Sequence, residues 1–509
     1  MTPQGLDNFS PPSDLAECQE MLGDLVGTLK QAFGRLDEKD EQIQELQQRL
    51  QQLLRAKFGR QSESIDPDQL KLFGALIDAP LESAEKTSET VVAKNGTKHG
   101  RRKPAKNLPR RRVVHELSKE ELGCPGCGAE RTAIGEEVSE RYGYIPSCVE
   151  VIEDVRLKYA CSTCQEHVVI AAVPNKPIPK GLADSSMLAY IATSKFADHL
   201  PLNRLEGIFR RHGADIPRST MCDWMAFTAG LVTPIYEEMK RRILGSKVIW
   251  TDDTPVDLQD REHEKNIRQA RIWAYLGDAD NNLLIYDFTD SRKRDGPVKF
   301  LQDFEGFLQA DAYAGYDGIY AGNLVREVAC WAHARRKFFE AMPSNKAAAS
   351  WALRCIQVLY RIEKRIAKNS PDVRREVRQG RSKKVLAIFK RWLDKNCVIE
   401  LKGPLAKAIR YALNQWDALC TFTEDGALTI DNNKAERAMR AIAVGRKNWL
   451  FAGSRDGGKR AAILSSLIAS CKLHGVDPLA YLTDVLSRLS SAKAPDIALM
   501  TPDKWMPVS

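Results

Sequence analysis

From Val248 onward the hydrophobic period changes in an order that few folds can accommodate. "VIWTDDTPVDL" (248–258), "ARIWAYLGD" (270–278) and "NLLIYDFTDS" (282–291) are three β-like segments with no helix between them. The last two are joined through "DADN", whose Asp and Asn residues favour a tight turn, so they read as a hairpin. A helix-like piece, "GPVKFLQDFEG", follows, then a strand in "FLQADAYAGYDG", a further short strand in "VREVACWAH" and the helix "ARRKFFEAM". Acids stand where two of the strands stop being apolar. Val248, Ile249 and Trp250 run into Asp252 and Asp253 just before Thr254-Pro255, and Phe307 and Leu308 run into Asp311. Turn chemistry is the ordinary account of an acid before Thr-Pro, and by itself it would close the first strand there.

The succession strand, strand, strand, helix, strand, helix, strand is the plan of a ribonuclease-H-like α/β core, in which the first and fourth strands are neighbours. On that plan Asp252 and Asp311 lie side by side although they are far apart in the chain. Paired carboxylates repel, and one of them would be protonated unless a cation intervened. Hard oxygen donors suit Mg²⁺, and two such ions about 3.5–4 Å apart can activate an attacking oxygen and stabilise a leaving one. A third carboxylate is then expected from a later helix. "IDNNKAERAMRAIAVGRKNWLFAGS" (430–454) offers Glu436, with Arg437, Arg440, Arg446 and Lys447 around it as candidate DNA contacts. Successive strand residues face opposite ways, so only one of Asp252 and Asp253 is expected to reach the metals.

The remainder is divided by composition. Leu15, Leu22, Leu29, Leu36, Ile43 and Leu50 recur every seven residues, with Cys18, Leu25, Ala32, Lys39, Leu46 and Leu53 three positions later. This predicts a coiled coil over 1–60, favoured over a lone amphipathic helix because the array outlasts three heptads. Residues 61–112 read as a basic linker ending in "KHGRRKPAKNLPRRR". In 113–172, Cys124, Cys127, Cys161 and Cys164 form two Cys-x-x-Cys pairs. Four thiolates close a tetrahedron around one structural Zn²⁺, with thiol–disulfide chemistry as the alternative. Cys148 and His167 read as bystanders. Residues 173–245 are helical and hold either a helix-turn-helix or two packed core helices. The core is then expected at 246–337 and again, with its Glu-bearing helix, at 429–460. Between them, 338–428 reads as a basic helical insertion that grips DNA, with packing on the core as the competing account. From Glu340 to Leu428 there are eighteen Lys/Arg against nine Asp/Glu. A helical region at 461–509 completes the chain. No apolar run is long enough to span a bilayer and the N-terminus lacks a signal-peptide pattern, which points to the cytoplasm.

Four stretches, "TDDTPV", "LQADAYAGY", "CWAHARRKF" and "DNNKAERAMRAIAVGRKNWLFAGS", resemble the acidic-triad (DDE) transposases of insertion-sequence family sixty-six. The resemblance extends over nearly the whole chain, including "SSLIASCKLHGVDPLAYLTDVLSRL" near the C-terminus. That family usually reads Asp-Glu-Thr-Pro where this chain has Asp252-Asp253-Thr254-Pro255, which favours Asp252 as the catalytic residue. The resemblance implies cleavage at transposon ends followed by strand transfer into target DNA. Asp252, Asp311 and Glu436 would hold two Mg²⁺ (or Mn²⁺) ions, and His333 would lie near them without an assigned role. It further implies double-stranded DNA as partner, a homo-oligomer through the coiled coil, accessory proteins of the same element, and a place at the bacterial nucleoid. A structure-specific nuclease of the same fold, or a non-catalytic zinc and coiled-coil DNA-binding regulator, would be the rivals.

Overall fold

The computed structural model describes residues 149–159, 169–170, 176–179, 181–490 (less 312, 323, 400 and 401) and 496–507, with isolated positions before residue 43. The expected coiled coil, the basic linker and all four zinc-ligand cysteines lie outside the described residues. A two-stranded antiparallel ribbon pairs Lys158 with Ile170. The rest is an α/β body around a six-stranded mixed sheet.

Three strands open the sheet as an antiparallel meander: β1 (Val248–Gln259), β2 (Ile267–Leu276) and β3 (Leu284–Thr289). Two shorter strands, β4 (Gly306–Gln309) and β5 (Val325–Val328), return parallel to β1. The order is β3-β2-β1-β4-β5, and a two-residue strand, β6 (Phe451–Ala452), pairs with the far end of β1. This is the ribonuclease-H-like arrangement, with the first and fourth strands adjacent. The close approach of β4 to β1 depends on Gly306, whose φ is 139°. A Cβ there would lie 2.6 Å from the Lys247 carbonyl oxygen.

One expectation is corrected. β1 does not end at its acids; it runs on through Thr254 and Pro255 to Gln259, in unbroken register with β2 from Trp250↔Leu276 to Gln259↔Ile267. A proline is admissible because the other edge of β1 has no strand partner there. β4 covers only Val248–Trp250, and β6 only Asp257 and Leu258.

Ahead of the sheet come α1 (Ser185–Phe196), α2 (Leu202–Arg211) and α3 (Arg218–Leu244). The last is a single helix of 27 residues with a buried face that includes Met221, Val232, Ile235 and Met239, which makes it a core element. A short α4 (Asp295–Phe300) crosses between β3 and β4, and α5 (Trp331–Glu340) follows β5. The chain then makes α6 (Lys346–Ile366), α7 (Pro371–Val377), α8 (Lys383–Ile399) and α9 (Gly403–Asn414) before α10 (Asn433–Trp449) returns to β1. Helices α11 (Arg455–Leu473) and α12 (Pro478–Leu489) finish the body. Val248, Trp250, Val256 and Leu258 of β1 share one core with Ala435, Met439 and Ile442 of α10 and the apolar faces of α5–α9. The free edge of β3 is closed by α11. Ser466 and Ser470, one turn apart, accept the Tyr286 and Leu284 amides at 2.8 and 3.0 Å.

Candidate active site

Asp252 and Asp311 are brought together by the β1–β4 ladder. Its last pair is Trp250↔Gln309, and two residues further along each chain stand the two aspartates. Alternation along β1 decides which acid faces which way. Even-numbered β1 residues line the core shared with α10, so Asp252 belongs to the face that carries Glu436 in the first turn of that helix. Asp253 belongs to the opposite face, where its carboxylate accepts from Arg271 at 2.9 Å and from Arg292 at 3.0 Å and is only 3% exposed.

The start of α10 is fixed by a network that joins all three acid-bearing elements. Thr429 Oγ1 accepts from Trp250 Nε1 (2.9 Å) on β1 and donates to Gln309 Oε1 (2.9 Å) on β4. Gln309 Nε2 donates to the Thr429 carbonyl at 2.7 Å. Asn432, 1% exposed, donates Nδ2–H to the Thr251 carbonyl at 2.7 Å, and its own amide donates to Cys330 Sγ at 3.2 Å. These bonds supply partners to the strandless edge of β1, and they set Glu436 over it. Further along α10, Arg446 does the same for Thr254 Oγ1 (3.2 Å) and the Pro255 carbonyl.

The electrostatics follow from this crowding. Burial, reinforced by the charges of Asp311, Asp253 and Glu436, pushes the Asp252 carboxyl up to about 7. Asp311 is raised by burial and by Asp253, against the opposing pull of His333 and Arg292. The Arg292 guanidinium lies 4.0 Å from Asp311, 3.0 Å from Asp253 and stacked 4.1 Å from the Tyr313 ring centre. His333 Nε2 lies 4.0 Å from Glu436 Oε1, while its Nδ1 is buried and has no hydrogen-bond partner. Cys330, His333 and Glu436 bring their ligand atoms within 4.8 Å of one another. Burial, however, pushes the Cys330 thiol up to about 11, and its sulfur is already an acceptor for Asn432. That makes the thiol a structural group. Asp252, Asp311 and Glu436 act on one another electrostatically, and carboxylates so placed suit a hard divalent cation, which would offset the burial and like charge that raise Asp252.

Of the four basic residues expected to meet DNA, Arg437, Arg440 and Lys447 are exposed on the Glu436 helix. Arg446 is turned inward onto β1. Asn432 stands in the expected helix start Asp431-Asn432-Asn433, whereas Arg271, Arg292, Gln309 and Thr429 have no such mark in the sequence. A run of Asp and Asn is a helix-start pattern.

Comparison with known proteins covers the same ground. Residues 180–460 match the model of the Transposase IS66 family, and 466–502 match the IS66 C-terminal element. Residues 121–165 match the zinc-finger binding domain of transposase IS66, and 45–113 match a leucine-zipper model described as Transposase C of IS166 homeodomain. Relatives in Sinorhizobium fredii include "Uncharacterized protein y4hP", 30% identical over 494 residues (90% of this chain, 88% of that protein). "Uncharacterized protein y4jD" is 32% identical over 480 residues, 89% and 92% of the two chains. "Uncharacterized protein y4qI" is 33% identical over 410 residues, 77% and 76%. The family implies DNA transposition and a divalent metal, and the zinc-finger match implies zinc. Among the described residues no helix is long and apolar enough to cross a membrane. With its main family model spanning more than half of its length, the chain belongs to the IS66 family of DDE transposases.

Proposed function

We propose that Asp252, Asp311 and Glu436 are the catalytic carboxylates of this transposase and together hold two divalent cations, Mg²⁺ or Mn²⁺. The observation that carries the assignment is the β1–β4 register, which sets Asp252 beside Asp311 on the face overlain by Glu436. Two cations held there would activate the attacking oxygen and stabilise the leaving one. The reaction is water attack on a phosphodiester at the element end, freeing a 3′-hydroxyl, and then attack of that hydroxyl on target DNA. The Thr429–Gln309–Asn432 network keeps the three carboxylates in register through both steps. Arg437, Arg440 and Lys447, exposed beside Glu436, suit the strand's phosphates. Arg446 serves the fold instead.

Around this centre the reading assigns one structural Zn²⁺ to Cys124, Cys127, Cys161 and Cys164, and an oligomer to the heptads of 1–60. It assigns a share of the DNA grip to the basic helices of 338–428, and the working place to the nucleoid, with accessory proteins of the same element.

Asp252→Asn, Asp311→Asn and Glu436→Gln should each abolish end cleavage in Mg²⁺ while end-DNA binding persists. A live Asp252→Asn beside a dead Asp253→Asn would reverse the assignment on β1. Elemental analysis of protein purified without chelators should give one zinc per chain, lost in Cys161→Ser.

A further inference from the structure

A second cavity lies along the same two elements that carry the acids, and the transposition chemistry does not use it. It has a volume of about 260 Å³ and apolar walls from Val256, Ile272 and Phe288 of the sheet and from Ile442 and Leu464 of α10 and α11. At about 3.3 Å per strand residue, Val256 is some 13 Å along β1 from Asp252. At 1.5 Å per helical residue, Gly445 is about the same distance along α10 from Glu436. That span is close to four base-pair steps of about 3.4 Å. The cavity is therefore within reach of a strand engaged at the carboxylates.

Its nitrogen-bearing side chains are few. The ammonium of Lys195, which lies 5.5 Å from the Phe196 ring centre, the indole N–H of Trp449 and the imidazole of His199 line it. Burial lowers the proton affinity of both Lys195 and His199. Arg460 adds an exposed guanidinium at the rim. Gly445 lets the two rings close over the helix, for a Cβ there would lie 2.8 Å from Trp449 Nε1 and 3.0 Å from His199 Nδ1. A planar aromatic wall, an indole N–H and an imidazole on the lining, and basic side chains at Lys195 and Arg460 describe a site for a flat, hydrogen-bonding ring attached to a phosphate.

Backbone strain gathers at the same place. Among the described residues three non-glycine residues have positive φ, and two of them are His199 (60°) and Leu450 (65°). Leu450 stands between Trp449 and Phe451, both of which line the cavity, and it holds its apolar side chain 62% exposed. With ψ of −51° it has the dihedrals of a strained γ-turn. An exposed leucine kept in a costly conformation beside an aromatic-walled pocket matches the geometry of a wedge next to a base receptor.

We propose that this cavity receives one nucleobase extruded from the DNA held at the carboxylates, with Leu450 filling the gap left in the stack. The base stacks on Trp449, Lys195 and Arg460 meet its flanking phosphates, and His199 and the indole N–H meet its edge. The inference rests on the transposase reading but is tested by binding, which needs no cleavage.

The test walks a single abasic site along an element-end duplex, with affinity for the full-length protein read by fluorescence anisotropy in Ca²⁺. Removing the extruded base abolishes the unpairing penalty. One position within about four base pairs of the cleavage point should therefore bind severalfold more tightly than intact duplex. Ala461→Trp, which fills the cavity, should weaken binding of the intact end severalfold while sparing the duplex that is abasic at the favoured position. Trp449→Ala should weaken binding of the intact end by roughly tenfold, as lost base stacking does. Leu450→Gly should weaken it too while raising the melting temperature, because glycine relieves the φ strain; that pairing excludes misfolding as the cause. An abasic walk with no favoured position, or an Ala461→Trp variant that binds the intact end as tightly as the parent does, would overturn the proposal. Thermal stabilisation by free thymidine or deoxyadenosine 5′-monophosphate without a favoured abasic position would also overturn it, assigning the cavity to free nucleotides. Mg²⁺-dependent cleavage that persists in those cases would leave the carboxylate assignment standing.

Discussion

Asp252 and Asp253 are adjacent and identical in chemistry, yet their surroundings separate them. Burial and neighbouring acids hold Asp252 at about 7, far above the ordinary aspartate value near ~3.9. In metal-free protein the folded state thus keeps a proton that the unfolded chain gives up. The stability that comes with it is complete below about pH 4 and is lost as the pH rises through 7. Asp252→Asn removes that loss. In chelator, the variant should match the parent at pH 4 and exceed it at pH 8 by of order 1 kcal/mol, after allowance for solvent screening. Thermal melts at the two pH values check this, and a parent as stable as the variant at pH 8 would mean that the carboxylates are not in conflict. Asp253 is instead ion-paired to Arg271 and Arg292. Asp253→Asn should cost about 2–3 kcal/mol in urea denaturation, since it leaves the mostly buried Arg271 without its anion. It should still cleave DNA at temperatures where it stays folded.

Helix α10 acts as one piece of machinery because its N-terminal turn and its last turn are both tied to the strandless edge of β1. Asn432 holds one end and Arg446 the other. Asn432→Ala should therefore shift Glu436 without removing any acid. The expected result is a fall of about 10–100-fold in single-turnover cleavage, with end-DNA binding nearly unchanged and a melting temperature only a few degrees lower. Weakened binding with a normal cleavage rate would argue that Asn432 serves the DNA surface instead. The strand order and the hairpin could be read from the sequence because each rests on local period or turn chemistry. The second half of β1 could not, since Asp-Thr-Pro mimics a turn and only the unbroken pairing with β2 keeps it extended. The bonds of Gln309, Thr429 and Asn432 were equally hidden, because their partners are remote in the chain. Arg378 shows the same limit within the basic helices. It counts as surface charge by composition, yet it is 0% exposed. Its guanidinium makes two bonds to Glu363, at 2.8 and 2.6 Å, and further bonds to the Phe422, Asp425 and Leu428 carbonyls. Part of the basic excess thus secures the loop that leads into α10.

Transposition joins two DNA ends to one target, so two catalytic units must act in concert, and the body around the sheet holds a single set of the three acids. The heptads from Leu15 to Leu53 are the segment suited to couple two such bodies. Their repeat is sustained, and an apolar seam of that length is unstable in water unless it is covered. The firmest heptads are those around Ile43 and Leu46, where no glycine interrupts the pattern, whereas Gly23, Gly27 and Gly34 weaken the first half. Replacing Ile43 and Leu46 together with Asp would put unpaired charge into that seam, which is costly enough to open a marginal helix pair. The variant should fall to monomer mass in light scattering and fail to bring two ends together. It should still bind a single end through its zinc module and basic helices, and it should keep a zinc content and a body melting temperature equal to the parent's. Unchanged mass would mean that the helix covers its seam on its own chain, and coupling of the two catalytic units would then have to come from the DNA.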